Sequence, residues 1–270
     1  MSDLKTDPGP SNESGSIESA DKSAFVAVAP LYDLLMHDVP YDDWVGYLYK
    51  LLDARNAKPR HILDLACGTG NVTERLAKAG YDITGVDISP EMIAEAKCKA
   101  SAHEQSIDYF VQDAAELDLP GRRFDLCISL FDSLNYVTDP NRLALAIERV
   151  GLHLSRNGLF IFDLNTEFAL KNNFFDQTNR LSNAPLRYDW ESEYYPTTRR
   201  CRVRMRFWYR EGDGEDRCFE EEHWQFAYSS DEIKTMLQNA GFDDIATYQA
   251  YSLRAPGRTA DRIFYVARKA

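Results

Sequence analysis

The sequence lacks the features that mark several specialised classes of protein. No apolar run is long enough to span a membrane, and the N-terminus has neither the basic nor the apolar region of a signal peptide. The five cysteines are scattered, odd in number and without a C-x-x-C pair, so a disulfide or zinc framework is disfavoured. No His, Asp or Cys cluster has the spacing of metal ligands. We therefore expect a cytoplasmic protein with free thiols, no metal and no membrane partner.

Positive charge is outnumbered by negative charge. The 270 residues include 31 Lys and Arg against 43 Asp and Glu, which gives a formal net charge of -12. An acidic surface repels phosphate backbones, so nucleic acid is disfavoured as a partner, although net charge does not exclude a local basic patch. Hydrophobic residues make up 44% of the chain, which is enough for a sizeable core. The length fits one large domain or a domain with an insertion.

The most informative stretch is His-Ile-Leu-Asp-Leu-Ala-Cys-Gly-Thr-Gly-Asn, residues 61–71. It reads as a short buried strand over 62–65, followed by a turn and then by a helical pattern that begins at Asn71. In the turn, Gly68 and Gly70 let the backbone bend sharply and let a ligand approach without a Cβ in the way. The unpaired N–H groups of the helix point at the same spot. A strand, glycine turn and helix in this order open a nucleotide-type α/β unit.

Strand and helix patterns then alternate at intervals typical of right-handed crossovers, which predicts a doubly wound, mostly parallel sheet. Strands are predicted at 62–65, 83–86, 107–111, 124–130 and 158–164, and helices at 41–53, from 71, at 89–102 and at 139–154. Ligands of such sheets bind outside the carboxyl ends of the strands. Acidic or amide residues recur there and predict a polar cleft: Asp64, Asp87, Asp113, Asp132 and Asn165.

The period changes to two after residue 185, which predicts an antiparallel β-meander over 186–195, 200–210 and 217–228. Centring each turn places an arginine stripe opposite acids, with Arg202 facing Glu193, Arg204 facing Glu191 and Glu222, and Arg206 facing Asp189 and Glu220. The other face is apolar and must cover the cleft or meet a second subunit. A helix near 229–240 and edge strands near 244–250 and 262–268 complete a seven-stranded sheet.

Two ligands compete for a glycine turn of this kind. A dinucleotide site requires G-x-G-x-x-G, and the third glycine is missing here, which disfavours an NAD-dependent oxidoreductase. S-adenosylmethionine has no phosphate but carries an ammonium, a carboxylate and a sulfonium. Asp64 suits the ammonium, Asp87 is placed to accept both ribose hydroxyls, and Asp113-Ala114 is placed for the adenine edge.

Four motifs in order across residues 60–165 resemble the class I S-adenosylmethionine-dependent methyltransferases. They are Asp64-Leu65-Ala66-Cys67-Gly68-Thr69-Gly70, Gly85-Val86-Asp87-Ile88-Ser89, Gln112-Asp113-Ala114 and Phe124-Asp125. More narrowly, residues 31–36, Tyr41-x-x-Trp44 and residues 131–136 look like the YqeM-like bacterial group. The resemblance implies S-adenosyl-L-methionine as the methyl donor and a Rossmann-like core, but no particular acceptor.

The resemblance also implies roles by position. Gly68 and Gly70 would lie against the methionine part, Leu130 and Phe131 would form the floor near the sulfonium, and Tyr32 and Trp44 would close over the cofactor from an N-terminal lid. The full set of cofactor-binding residues that it implies is Tyr32, Trp44, Asp64, Ala66, Cys67, Gly68, Gly70, Asp87, Ile88, Met92, Asp113, Ala114, Leu130 and Phe131.

Composition, period and resemblance together divide the chain into five segments. The predicted division is a disordered tail at 1–22, an N-terminal helical lid at 23–58, the S-adenosylmethionine-binding α/β core at 59–185, the β-meander insertion at 186–228, and a C-terminal helix and edge hairpin at 229–270. The tail is predicted because it is rich in Ser, Asp, Glu, Gly and Pro.

Methyl transfer is an in-line displacement that depends chiefly on alignment and exclusion of water, and it needs a general base only when the nucleophile arrives protonated. The sequence singles out no base; the candidates are Asp132, Asn135, Tyr136, Asp163, Glu221 and His223. We expect methyl transfer to N or O of a small-molecule acceptor. An RNA methyltransferase and a non-catalytic S-adenosylmethionine-binding regulator are the alternatives, and the sequence leaves open a monomer or a homodimer.

Overall fold

The computed structural model describes residues 25–212 and 214–270, so the predicted tail at 1–22 lies outside the described residues. The strands are β1 His61–Leu65, β2 Asp82–Asp87, β3 Asp108–Val111, β4 Phe124–Ser129, β5 Leu154–Asn165, β6 Gln177–Thr178, β7 Leu186–Tyr195, β8 Arg200–Tyr209, β9 Arg217–Phe226, β10 Phe242–Gln249 and β11 Arg262–Lys269. The α-helices are α1 Tyr32–Leu35, α2 Tyr41–Ala54, α3 Asn71–Lys78, α4 Pro90–Ala102, α5 Pro140–His153, α6 Glu167–Lys171 and α7 Ser230–Asn239.

A seven-stranded sheet in the order β3-β2-β1-β4-β5-β11-β10 forms the centre of the fold. Strands β1 to β5 pair in parallel, whereas β11 runs antiparallel to both β5 and β10. The predicted doubly wound, mostly parallel sheet and its antiparallel edge hairpin are therefore confirmed. Within the described ranges, no helix has the length and apolar character needed to cross a membrane.

Apolar layers cover both faces of this sheet, because parallel strands are buried on both sides. On one face, α5 and α7 contribute Leu143 and Leu237 to a buried cluster. On the other face, α2 and α3 contribute Leu48 and Leu76 to a second cluster. The sheet is thereby held rigidly, and the carboxyl ends of its parallel strands meet at one edge.

The helices begin where the sequence offers a cap. The Ser89 side chain accepts a hydrogen bond from the backbone N–H of Met92, and Pro90 occupies the first turn of α4. Ser229 and Glu232 form a reciprocal capping box at the start of α7. These caps fix the point at which the chain leaves each turn, and the first of them lies beside the cleft.

A second sheet in the order β6-β7-β8-β9 holds the predicted meander. The predicted register is confirmed at every pair: Arg202 opposite Glu193, Arg204 opposite Glu191 and Glu222, and Arg206 opposite Asp189 and Glu220. The sequence patterns missed β6 and the short helix α6 between β5 and β7. Strand β6 has only two residues, and it exists because it pairs with β7, so it carries no periodicity of its own.

Candidate active site

A cavity of about 730 Å³ lies at the carboxyl ends of the parallel strands. This is within the range of about 300–1,000 Å³ typical of small-molecule sites. Its walls come from the lid segment (residues 25–41), the glycine turn (residues 66–71), the turns after β2 and β4, and the inner face of the meander. The cavity therefore has a polar end at the sheet and an apolar end under the meander.

The glycine turn bends through left-handed backbone at Gly68 (φ +55°) and Gly70 (φ +79°). A Cβ on Gly70 would lie 2.4 Å from the hydroxyl oxygen of Tyr109, so the Tyr109 side chain already occupies the space that a larger residue would need. A Cβ on Gly68 would meet nothing within 4 Å, and Gly68 lines the cavity. Gly70 thus holds the turn in place, while Gly68 leaves its backbone open to a ligand.

Asp64 lies in the cavity wall at the end of β1 and is almost fully buried. Its Oδ2 accepts a hydrogen bond of 2.6 Å from the Thr73 hydroxyl in α3. Burial raises the pKa of this carboxyl to about 7, because desolvation penalises its charged form. A cationic group beside Asp64 would favour ionisation, so the site is suited to an ammonium.

Asp87 ties the glycine turn to the start of α4. Its Oδ2 accepts from the Gly68 N–H at 2.8 Å and its Oδ1 accepts from the Ser89 N–H at 2.9 Å. Burial raises its pKa, and these backbone hydrogen bonds oppose that rise. Asp87, Ile88 and Met92 all line the cavity. A carboxylate can accept further hydrogen bonds, so hydroxyl groups can bind here.

The turn after β4 is strained at two consecutive positions, Phe131 (φ 71°) and Asp132 (φ 49°). Left-handed backbone at residues other than glycine costs of the order of 1–3 kcal/mol each and persists only where the surroundings enforce it. Here the carboxylate of Asp163 enforces it by accepting from the N–H groups of Phe131 and Asp132, both at 2.9 Å. Both strained residues and Leu130 line the cavity, between its two ends.

Arg262 reaches this turn from β11 and also lines the cavity. Its guanidinium donates to Asp132 Oδ1 at 2.6 Å and to Asp163. Gln225 donates to the other oxygen of Asp132 at 2.7 Å. Both oxygens of Asp132 are thus engaged by side chains of other strands, so this carboxylate holds the turn in position.

Two predicted tyrosines stand in the cavity wall, Tyr32 from the lid segment and Tyr136 from the turn after β4. The Phe25 ring lies against both, with centroid distances of 5.9 Å to Tyr32 and 5.4 Å to Tyr136. Burial raises the pKa of both phenols, so they remain protonated at neutral pH and can donate hydrogen bonds.

The other base candidates do not line the cavity. His223 is 1% exposed, and its Nε2 lies 2.8 Å from Glu221 Oε2. The Glu221 carboxylate accepts from the N–H groups of Ala27 and Val28 at 2.8 and 3.0 Å, which ties the lid segment to the meander. Asn135 is buried and bonds to Asn165 and to the Phe226 carbonyl.

Four predicted cofactor residues also lie outside the wall: Trp44, Gly70, Asp113 and Ala114. The Trp44 ring supports the floor from behind, with its centroid 3.7 Å from that of Phe131. The Asp113 carboxylate forms an ion pair with Arg142 and accepts from the Ala115 N–H. The other ten residues of that set, Tyr32, Asp64, Ala66, Cys67, Gly68, Asp87, Ile88, Met92, Leu130 and Phe131, are brought together around the cavity.

The sequence patterns missed Asp33, which joins the lid segment to the glycine turn. Its Oδ1 accepts from the Thr69 hydroxyl at 2.6 Å and from the Asn71 amide at 2.7 Å. Its Oδ2 lies 2.6 Å from Lys99 Nζ. The only signal in the sequence was a single carboxylate within the otherwise apolar run 31–36, and local spacing does not show which distant residues it contacts.

The charges of the wall favour one of the two ligands. The described wall residues include Asp38, Asp64, Asp87 and Asp132, and their only Lys or Arg is Arg262, which is already paired. A pyrophosphate would find no free cation here, whereas an ammonium and ribose hydroxyls meet carboxylates. The residues therefore fit S-adenosylmethionine. Within residues 25–212 and 214–270, no group of three His, Cys, Asp or Glu could hold a metal ion.

Comparison with known proteins agrees with an S-adenosylmethionine site. Residues 62–158 match the family described as a methyltransferase domain. The Bacillus subtilis (strain 168) protein named "Putative methyltransferase YqeM" is 32% identical over 241 residues, 89% of this chain and 95% of that protein. A protein from Geobacillus sp. (strain WCH70) that is also named a putative methyltransferase is 33% identical over 240 residues, 88% of this chain and 96% of that protein.

Two solved structures share the fold over most of this chain. An S-adenosylmethionine-dependent methyltransferase from Clostridium acetobutylicum superposes with a TM-score of 0.79 at 29% identity, over 90% of this chain and 98% of that chain. The sugar N-methyltransferase KedS8 from Streptoalloteichus has a TM-score of 0.71 at 22% identity, over 88% and 92%. The second likeness is one of fold alone.

Proposed function

Since the chain belongs to the S-adenosylmethionine-dependent methyltransferases, and within them is related to the YqeM-like bacterial proteins, we propose that it methylates a nitrogen or an oxygen of a small molecule. The acceptor lies in the cavity under the meander. One observation carries this proposal: a single cavity joins the carboxylate-lined end at the sheet to an apolar end closed by the lid segment and the meander.

S-adenosylmethionine supplies a methyl group already activated on a sulfonium. In the proposed arrangement, Asp64 binds its ammonium and Asp87 its ribose hydroxyls. The side chains of Ile88 and Met92 pack on the adenine, and the backbone of residues 66–68 lies against the methionine part. Gly70 and Trp44 act indirectly, through the glycine turn and through Phe131. The adenine role of Asp113 and Ala114 stays a prediction.

The protein's own contribution to transfer is alignment. The strained turn at Phe131–Asp132, held by Asp163 and Arg262, forms a rigid floor between the two ends of the cavity. The Tyr32 and Tyr136 hydroxyls orient the acceptor by donating hydrogen bonds. An amine that enters uncharged attacks without help from a base, and closure by the lid segment excludes water. Asp132 and Asp163 are positioning residues in this scheme.

The solved neighbours support a small acceptor. KedS8 is a sugar N-methyltransferase and CalS10, at 19% identity and a TM-score of 0.70, is an amino pentose methyltransferase. Both have the fold of this chain, so the fold accommodates acceptors of the size of a sugar. The five-segment division and the cytoplasmic location stay predictions, as does the choice between monomer and homodimer.

Calorimetry and label transfer test the function. We expect S-adenosylmethionine and S-adenosylhomocysteine to bind, and the methyl label to enter the small-metabolite fraction of a bacterial extract. Binding of NAD in their place would overturn the assignment of the cofactor. Label that enters RNA instead of small molecules would identify an RNA methyltransferase, and binding without any transfer would leave only a regulator.

A further inference from the structure

The inner face of the meander lines the acceptor end of the cavity with rings. Tyr188 and Trp190 from β7 stand opposite Phe207 and Met205 from β8, and all four side chains line the cavity. Phe175, from the segment before β7, lines the cavity beside them. This end therefore presents an apolar and mostly aromatic surface, which binds flat apolar groups by contact.

The two-residue period of the meander keeps its arginines off this surface. Arg202, Arg204 and Arg206 alternate with the inward side chains and lie on the other face. There, Arg202 pairs with Glu193 at 2.7 Å and Arg206 with Glu220 at 3.2 Å. Cations close by in sequence are thus withheld from the acceptor, and this follows from strand alternation alone.

Few positive charges are left for an anionic acceptor. Among the described residues of the wall, Arg262 is engaged by Asp132 and Asp163. His37 lies at the exposed rim, where its Nε2 is 3.1 Å from Asp38. An ionised group buried without a partner is far more costly than a neutral polar one. An anionic group on the acceptor, at the meander end of the cavity, would face rings and find no unpaired Lys or Arg among the described wall residues.

We propose that the acceptor is a ring-bearing, apolar small molecule with no anionic group on the part that enters the cavity. This rests on the proposed function and narrows its substrate class. It separates this chain from enzymes whose acceptors are held by a phosphate. Ligand charge and ring content are the two properties that the wall selects.

A pair of fluorescent probes tests the selection directly. N-phenyl-1-naphthylamine and 8-anilinonaphthalene-1-sulfonate share one skeleton and differ by the sulfonate. With S-adenosylhomocysteine present, the wild type should bind the neutral probe at least about tenfold more tightly, because a lone buried anion costs more than the roughly 1.4 kcal/mol that a factor of ten represents. Equal or tighter binding of the sulfonate, or no binding of the neutral probe, would overturn the proposal.

Two lysine variants show whether the probes report on the cavity. Ala184 is exposed and lines the cavity, so Ala184→Lys adds a cation to the wall and should bring the affinity for the sulfonate close to that for the neutral probe. Leu181, on the same loop, is 99% exposed and outside the wall, so Leu181→Lys should leave the ratio unchanged. The same ratio in all three proteins would place the probes elsewhere and contradict the proposal.

The probe measurement can contradict the inference about the acceptor without contradicting the proposed function, and the reverse also holds. If the protein binds S-adenosylmethionine but transfers no methyl group, the proposed function is wrong, whereas the ratio of the two probe affinities can still be as expected. A protein that methylates phosphate-bearing acceptors in preference to their dephosphorylated forms would keep the function and sink the inference.

Discussion

The Arg262 guanidinium donates to Asp132 across 2.6 Å, although the two residues are 130 positions apart. Strand β11 therefore reaches across the sheet edge to hold the turn after β4. The same guanidinium binds Asp163, whose carboxylate holds the left-handed residues of that turn. The floor of the cavity depends on this contact, which leads to the first prediction.

Replacing Arg262 should destabilise the protein through the floor of the cavity. Arg262→Met leaves Asp132 and Asp163 as uncompensated buried charges, so we expect the free energy of unfolding at neutral pH to fall by about 3–5 kcal/mol. Urea denaturation measures it. Arg258→Met, at an exposed arginine, should stay within about 0.5 kcal/mol of the wild type. Adding Asp132→Asn should recover part of the loss, and no recovery would argue against charge as its cause.

The carboxylate of Asp33 should hold the lid segment over the glycine turn. Asp33→Asn removes the charge that Lys99 and Thr69 contact. We expect S-adenosylhomocysteine to bind roughly five- to tenfold more weakly, as charged hydrogen bonds at partly exposed sites contribute about 1 kcal/mol, and stability to change little. Calorimetry checks this. Asp42→Asn, which removes an exposed partner of Arg75, is the matched control and should bind as the wild type does. Equal weakening in both variants would contradict the role.

The buried carboxyl of Asp64 should make stability depend on pH. Its folded pKa is raised to about 7, above the unfolded value of about 3.9, so folding takes up a proton between these values and stability falls as pH rises through the window. Asp64→Asn keeps an acceptor for Thr73 without the charge. We expect it to be more stable than the wild type near pH 8 by on the order of 1–3 kcal/mol, and equal to it near pH 4. Thermal unfolding at the two pH values decides.

The same carboxyl should couple cofactor binding to proton release. If the ammonium binds at Asp64, its charge lowers the pKa of Asp64 in the complex. Affinity for S-adenosylhomocysteine should then rise between about pH 6 and about pH 8, with a proton released that calorimetry in two buffers detects. Asp64→Asn should bind weakly and show neither effect. A pH-independent affinity in the wild type would place the ammonium elsewhere.

The two glycines of the turn should differ on substitution. Both have positive φ, which costs an alanine about 1–2 kcal/mol. Gly70→Ala also drives a Cβ into Tyr109, so we expect a loss of stability of about 2–4 kcal/mol, against about 1–2 kcal/mol for Gly68→Ala. Gly68→Ala should instead weaken S-adenosylhomocysteine binding. Denaturation and calorimetry on both variants test this contrast, and Tyr109→Phe should relieve part of the cost of Gly70→Ala.

Local rules made much of the fold readable in advance. Ser89-Pro90 starts a helix because the hydroxyl and the fixed φ of proline act within one turn. The register of the meander followed from the lengths of its turns and the period of its side chains. Strand β6 was not predicted, because its two residues form a strand only by pairing with β7.

Parts of the candidate site were readable for the same reason, and others were not. Asp64 and Asp87 end strands whose carboxyl ends meet, so their position in the cavity wall follows from the order of elements. Asp113 follows β3 by two residues, but Arg142 from α5 engages its carboxylate outside the wall. Trp44 lies behind Phe131 and outside the cavity wall. The sequence could not show this, because the spacing of the apolar residues of α2 does not determine the angle at which the helix packs.

The sequence by itself determined the glycine turn, the acids that follow β1 and β2, and the alternation that turns the arginines of the meander outward, because each depends on residues close in the chain. Only the tertiary structure decided which charged side chains form ion pairs with one another. Asp33 with Lys99 and Asp132 with Arg262 are pairs far apart in sequence, brought together by packing. Those pairings leave the wall with no free Lys or Arg among its described residues, and that balance selects the ligands.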